Sequence, residues 1–282
     1  MAEFLPLADS IAKHVADGAC LALEGFTHLI PFAAGHELIR QRRNGLHLVR
    51  MTPDLIYDQL IGVGAARKLT FSWGGNPGVG SLHRLRDAVE NDWPRPLEID
   101  EHSHAAMAVA YRAGAARLPF GMLRGYIGTD LPKHTSTIKT VECPFTGEVL
   151  AAVPAITPDV GIIHAQSADM SGNVQIWGLL GVQKEAVLAS ARSIVTVEEI
   201  VEELPDVPGA IVLPSWAVSA VCHVPGGAHP SFAMGFSVRD NAFYKAWDAI
   251  SKDRDAFTAW IDKHVIGTAD FAEYCESAGI NV

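Results

Sequence analysis

Asp17-Gly18-Ala19-Cys20-Leu21-Ala22-Leu23-Glu24-Gly25-Phe26-Thr27-His28-Leu29-Ile30-Pro31 is the stretch whose reading decides the fold. Asp17-Gly18 is a turn dipeptide. Ala19 to Leu23 is a short apolar run of strand length without polar alternation, the pattern of a strand covered on both faces. Gly25 then predicts a sharp turn, with either a positive φ or the close approach of another group. The periodic stretch Phe32 to Arg40 predicts a helix running on to Arg43, where Asn44-Gly45 stops it with a glycine cap. Strand, turn and helix in that order open an α/β chain, and open α/β sheets bind ligands beyond the carboxyl ends of their strands. Taken alone, Gly25 is also what any tight βα turn would use.

The same alternation continues outward. Leu7, Ile11, Ala12 and Val15 make one apolar stripe at helical spacing before the first strand. Leu46 to Arg50 and Lys68 to Trp73 read as strands two and three, with a helix marked by Leu55, Ile56, Gln59, Leu60 and Val63 between them. A Gly74 to Gly80 loop follows, then a helix to Glu90 with Ser81 as its cap. Leu97 to Ile99 is a short strand, Ala105 to Arg117 an alanine-rich helix, and Pro119 to Tyr126 a strand followed by a polar loop through Thr140. From Val149 the pattern is strand-rich, with a helix near Glu185 to Ala191, a strand Ile194 to Val197, and Glu198-Glu199 read as a solvated helix start. Ala210 to Val224 holds more strand, interrupted at Pro214, and three short helical patterns from Asn241 to Ala278 close the chain. Strands alternating with helices imply a three-layer αβα sandwich around a mostly parallel sheet. No linker divides the 282 residues, so the expectation is one domain with a helical extension over about 240–282.

The formal net charge of -10 argues against nucleic acid or an anionic membrane as partner, because both require a basic footprint. The four cysteines stand far apart with no zinc spacing, as buried free thiols of a reducing cytoplasmic compartment do. Neither a signal peptide nor an apolar run of about 20 residues is visible, so no membrane span is expected.

Candidate chemistry sits at the predicted strand ends. Gly62-Val63-Gly64-Ala65-Ala66-Arg67 imitates a dinucleotide fingerprint but precedes a strand instead of following one. The Gly74 to Ser81 loop is better placed, and its amides are positioned to hold a carboxylate or phosphate, although an ordinary glycine loop reads the same way. Glu98-Ile99-Asp100-Glu101-His102-Ser103-His104 is the densest titratable cluster. Its carboxylates and imidazoles are suited to acid/base work, with helix-start electrostatics as the plain alternative. His102 and His104 have the i, i+2 spacing of a strand-borne metal pair, but no third ligand is recognisable, so no metal is expected.

Asp17-Gly18, Leu21-Ala22-Leu23 and Gly25-Phe26 resemble the first signature of family I coenzyme A-transferases, with Glu24 and Ile30 in place of two glycines and the proline one position off. His164-Ala165-Gln166, Gly172-Asn173-Val174-Gln175-Ile176-Trp177-Gly178, Val195-Thr196-Val197-Glu198-Glu199-Ile200 and Gly227-Ala228-His229-Pro230-Ser231 are similar to the A subunits of its glutaconate-type branch. In chemistry, His164 reads as a satisfied core histidine and Trp177 as a packing residue. Met51 to Leu60 and Trp73 to Ser81 bear the likeness in between, so that it covers residues 7 to about 278.

That resemblance implies the CoA-transferase/ribose-5-phosphate isomerase-like fold. It also implies a half-enzyme that exchanges CoA between succinyl-CoA and a dicarboxylic 3-oxo acid, with the CoA thioester as substrate and no permanently bound cofactor. The family's glutamate nucleophile belongs to a Ser-Glu-Asn-Gly or related segment of a B subunit. Ser-Glu-Asn-Gly is absent here, so a hetero-oligomer with a B subunit, of A2B2 type, is expected. The resemblance further implies a substrate wall of Gly25, Phe26, Asn76, Pro77, Gly78, Val79, His102 and Ser103, with Pro77 standing where relatives carry a serine. Glu101 is the implied chemical group of this chain, by likeness to an Asp-Glu pair of ring-opening CoA-thioester hydrolases, and such a hydrolase chain is the alternative reading. An effector-binding module of the same fold is the third, disfavoured because the fold begins by Leu7 with no room for a helix-turn-helix.

Overall fold

The computed structural model describes residues 2–280. Eight parallel strands run in the order β1-β13-β11-β9-β2-β3-β4-β5. The first half of the chain supplies β1 (Glu3–Phe4), α1 (Leu7–His14), β2 (Cys20–Glu24), α2 (Phe32–Arg40), β3 (Leu46–Arg50), α3 (Leu55–Gly62), β4 (Ala66–Phe71), α4 (His83–Asn91), β5 (Glu98–Glu101) and α5 (His104–Ala115). The chain then leaves the main sheet for β6 (Phe120–Leu123), α6 (Leu131–His134), β7 (Lys139–Glu142) and β8 (Val149–Pro154), an antiparallel three-stranded sheet in the order β6-β8-β7. It returns through β9 (Val160–Asp169), β10 (Val174–Ile176), α7 (Gln183–Ala189), β11 (Arg192–Val201), β12 (Ile211–Leu213) and β13 (Ala220–His223). β10 and β12 add antiparallel to the carboxyl half of β9. The C-terminal extension is α8 (Asn241–Lys252), α9 (Arg254–Ile261), a π turn over Asp262–Ile266 and α10 (Phe271–Ala278).

β2 shows why its sequence lacks alternation. Leu21 and Leu23 pack among Leu38, Leu48, Leu55 and Leu60 on the α1–α4 side. Ala22 packs with Met107, Tyr111 and Ala186 on the side of α5 and α7. Both faces are covered, so both parities are apolar. Trp247 and Phe257 of the C-terminal extension join the α1–α4 cluster. Burying a large aromatic contributes a few kcal/mol, so these helices hold that layer down rather than trail from it.

Three local expectations fail for tertiary reasons. α2 ends at Arg40, and Gly45 (φ 66°) serves a separate turn in which Asn44 bonds Asp17. Ser81 does not cap α4; Asp58 of α3 does, its Oδ1 accepting Arg84 N–H at 2.8 Å and Leu85 N–H at 3.0 Å. Asp58 Oδ2 accepts the Trp247 indole N–H at 3.1 Å, so one buried carboxylate ties α3, α4 and α8 together. Glu198 and Glu199 lie inside β11 rather than at a helix start.

Candidate functional site

All eight parallel strands point their carboxyl ends to one edge, and the candidate residues line it. After β2, Gly25 turns the chain without a positive φ. The freedom it uses is the other one expected: a Cβ there would lie 2.6 Å from the Leu29 carbonyl oxygen and 2.8 Å from Ile30 Cα. The strained backbone is on Thr27 (φ 56°) and Leu29 (φ 55°), which hold the left-handed conformation without being glycine. Such strain persists only where the surroundings hold it. Here Ser231 Oγ donates to Thr27 O at 2.9 Å, Leu29 N–H to Phe232 O at 2.9 Å, and Phe26 N–H to His28 O at 3.1 Å.

His28 braces the same turn. Its Nε2 accepts the Met234 N–H at 2.9 Å, which leaves Nδ1 as the protonated nitrogen facing Leu179 O. Burial pulls its pKa down to about 4, so the ring is neutral at pH 7.

Beneath the turn lies a buried charged frame. Arg50 donates to Gly25 O at 2.9 Å and to Asp54 Oδ1 at 3.0 Å. Glu24 Oε1 accepts Met51 N–H at 3.1 Å and the Tyr111 hydroxyl at 2.7 Å. Burial pushes the Glu24 carboxyl up to about 7, against the opposing pull of Arg50 and of these hydrogen bonds. Tyr57 completes the frame, its hydroxyl donating to Val49 O at 2.8 Å.

On the β9–β11–β13 side the edge opens into a cavity of about 670 Å³, lined among others by Glu198, Gly226, His229, Ser231 and Phe236. Glu198 and Thr196 share one face of β11, opposite His164 of β9. Thr196 Oγ1 lies 2.8 Å from His164 Nδ1, and His164 Nε2 lies 2.9 Å from Glu198 Oε1. Glu198 Oε2 accepts the Gly226 N–H at 2.7 Å. Burial raises the Glu198 carboxyl, but hydrogen bonding to His164 and Gly226 outweighs it and the net pKa is lowered. This wall therefore carries a fixed carboxylate. Local reading missed it by taking Glu198 as solvated; the signal was the alternation Thr196, Glu198, which continues the strand and keeps both on one face.

The β4–β5 side holds the other expected residues. Asn76 is buried and donates through Nδ2 to Tyr244 O at 2.8 Å. The N–H groups of Gly75, Asn76, Val79 and Gly80 all donate to carbonyls of Pro53, Gly80 and Asn76, so the anticipated amide cradle is largely spent on the loop's own turn around Gly78 (φ 80°). Pro77 offers its carbonyl to Arg239 at 2.6 Å, and Val79 is exposed.

At the end of β5, Asp100 faces Thr137 Oγ1 at 2.9 Å and His102 Nε2 at 3.4 Å. Burial raises its carboxyl, but His102 and Thr137 bring it down to about 2. Glu101, on the opposite parity, is exposed, and its backbone carbonyl accepts Thr135 Oγ1. Strand alternation therefore separates this neighbouring pair, and Asp100 pairs with His102 instead. Ser103 caps α5 by accepting Ala106 N–H at 3.2 Å. His102 faces Tyr126 and Thr137 while His104 turns to Ser72, so the two do not converge; among the described residues no group of three ligand-type side chains could hold a metal. Gly25 and Glu101 share the edge but belong to β2 and β5, three strands apart, about 14 Å by strand spacing.

A three-layer α/β sandwich with a strained turn on a buried charged frame and a cavity at the strand carboxyl ends defines a ligand-binding α/β protein of the doubly wound kind. The coenzyme A transferase family profile matches residues 5–223, and the chain belongs to that family. It is 66% identical over 274 residues to the A subunit of the 3-oxoadipate CoA-transferase of Pseudomonas knackmussii, covering 97% of both chains. It is 32% identical to the A subunit of the glutaconate CoA-transferase of Acidaminococcus fermentans, over 99% of this chain and 92% of that one. The crystal structure of that organism's glutaconate coenzyme A-transferase superposes with a TM-score of 0.92 over 99% of this chain and 93% of that one, again at 32% identity. One chain of a cholesterol ring-cleaving hydrolase of Mycobacterium tuberculosis is 27% identical over 62% of this chain, a weaker match. The protein is thus a CoA-transferase chain, similar along its length to the A subunits of these enzymes, and none of its described helices is long and apolar enough to cross a membrane.

Proposed function

We propose that this chain is the A subunit of a transferase that exchanges CoA between succinyl-CoA and a dicarboxylic 3-oxo acid such as 3-oxoadipate. The observation that carries the reading is 66% identity, across 97% of both chains, to the corresponding chain of a 3-oxoadipate CoA-transferase. The CoA thioester is the substrate, and no resident cofactor takes part. A glutamate on the B chain attacks the thioester, dividing one exchange into covalent steps. Two buried glutamates of this edge are consistent with that division of labour: Glu198 has both oxygens hydrogen-bonded and Glu24 is sealed in the frame, so neither is presented as a nucleophile. This chain supplies one wall: Gly25, Phe26, His102, Ser103 and the Asn76, Pro77, Gly78 and Val79 loop contact substrate, and Glu101 orients it or moves a proton. The assembly is A2B2.

The test is to mix the purified chain with a candidate B chain and follow CoA transfer from succinyl-CoA to 3-oxoadipate, with the mass of the complex measured in parallel. Transfer by the pair and none by either chain alone is expected. Turnover by the isolated chain would overturn the half-site reading, and CoA release without any acceptor acid would show thioester hydrolysis in place of transfer.

A further inference from the structure

We infer that Arg239 is the recognition group for the remote carboxylate of a dicarboxylic acyl substrate. Three observations carry this. First, Arg239 lies between the two loops that flank the site: Nη2 donates to Pro77 O at 2.6 Å, and the chain immediately before it, Ser237 and Val238, lines the large cavity. Its guanidinium lies over the Tyr244 ring, 4.1 Å from the centroid, which fixes the plane of the fork.

Second, this cation makes no ion pair among the described residues; the one carboxylate that feels its charge, Asp54, is bonded to Arg50 instead. Arg40, Arg50, Arg84, Arg86, Arg124 and Arg254 each meet a carboxylate within 3.1 Å, and Arg239 has none among the described residues within the 4.0 Å of an ion pair. Among the described residues its Nε is buried without a partner, and no acceptor takes Nη1. A partly buried guanidinium short of acceptors gains more than a solvated one from an incoming carboxylate, which it binds through two parallel hydrogen bonds.

Third, the basic side chains described at this edge are otherwise engaged, His229 of the cavity wall with Asp240. Arg50 is sealed beneath Gly25 and committed to Asp54, and His28 is held neutral by burial. In a chain of formal charge -10, a dianionic acid entering beside Glu198 needs a local positive charge.

A CoA phosphate would satisfy the same fork, so the experiment separates the two sources. This inference rests on the transferase reading, and the readout is a ratio: kcat/KM for 3-oxoadipate over kcat/KM for 3-oxohexanoate, with succinyl-CoA as donor, in the assembled complex. For Arg239→Met the ratio is expected to fall about 10- to 100-fold, the range for a lost charged hydrogen-bond pair. Arg239→Lys, which keeps the charge and loses the fork, is expected to fall between parent and Met, and serves if the Met variant does not assemble. Equal losses with both acids would overturn the assignment. If those equal losses came with a raised KM for succinyl-CoA and an unchanged KM for its 3′-dephospho analogue, the anion would be a CoA phosphate; if they came with a lowered melting temperature, Arg239 would be only a tie between loops. If the parent complex transfers CoA but ignores 3-oxoadipate, the acceptor reading fails by itself. The inference is then decided by the same ratio for succinyl-CoA against butyryl-CoA.

Discussion

Glu24→Gln is expected to remove a pH dependence of stability that the parent carries. Glu24 is 2% exposed, and its carboxyl is pushed from 4.5 to about 7, burial being the main cause. The folded pKa lies above the unfolded one. Between the two, the native chain keeps a proton that the unfolded chain has lost, so this contribution is full at or below pH 4.5 and is lost as pH rises through 7. At about 1.4 kcal/mol per pH unit the loss reaches about 3 kcal/mol across that window. A neutral Gln still accepts from Met51 N–H and Tyr111 O–H, as Glu24 Oε1 does, and its unpaired N–H costs about 1 kcal/mol at every pH. Parent and variant melting temperatures should therefore be measured at pH 5 and pH 8. The variant is expected to gain on the parent by about 2.5 kcal/mol between them, which at about 2–4 °C per kcal/mol is roughly 5–10 °C. Parallel curves, with the same difference at both pH values, would refute the assignment of a near-neutral titration to this carboxyl.

Gly25→Ala is expected to cost about 1–3 kcal/mol and to lower the turnover of the assembled complex, because the Cβ meets backbone atoms at 2.6 and 2.8 Å and the turn must move; parent-like turnover would separate the turn from the site. Asp58→Ala strands three N–H donors on α4 and α8 and is expected to cost about 2–4 kcal/mol. A urea midpoint lowered at unchanged m would show this, and an unmoved midpoint would contradict it. Glu101→Gln is expected to slow the complex about 10²–10⁴-fold with little change in melting temperature if the carboxylate transfers a proton. Near-parent turnover would leave Glu101 as an exposed carboxylate beside a helix start.

The sequence by itself determined the layers and their order. The strand at Cys20–Glu24 follows from a short apolar run, that at Leu46–Arg50 from alternation, and the one read over Lys68 to Trp73 lies at Ala66–Phe71; the helices between them follow from periodicity, because those patterns are set by which faces each element must bury. The placing of Gly25, the Gly74 loop and the Asp100 cluster at strand ends was legible for the same reason. Other features required the folded chain, because they join residues that no local pattern links. α4 is capped from α3, 26 positions away in sequence, where local reading picked the adjacent Ser81. Glu198 is a fixed buried carboxylate only because β9 and β11 are neighbours and bring His164 to it. Asp100 and Glu101 are adjacent in the chain and opposite across the strand, so only the folded strand shows Asp100 turned to His102 and Glu101 to solvent. Gly25 is required by the returning backbone of Leu29 and Ile30, a close approach that sequence named as one of two options and that only the path of the turn, with Thr27 and Leu29 taking the left-handed strain instead, could decide.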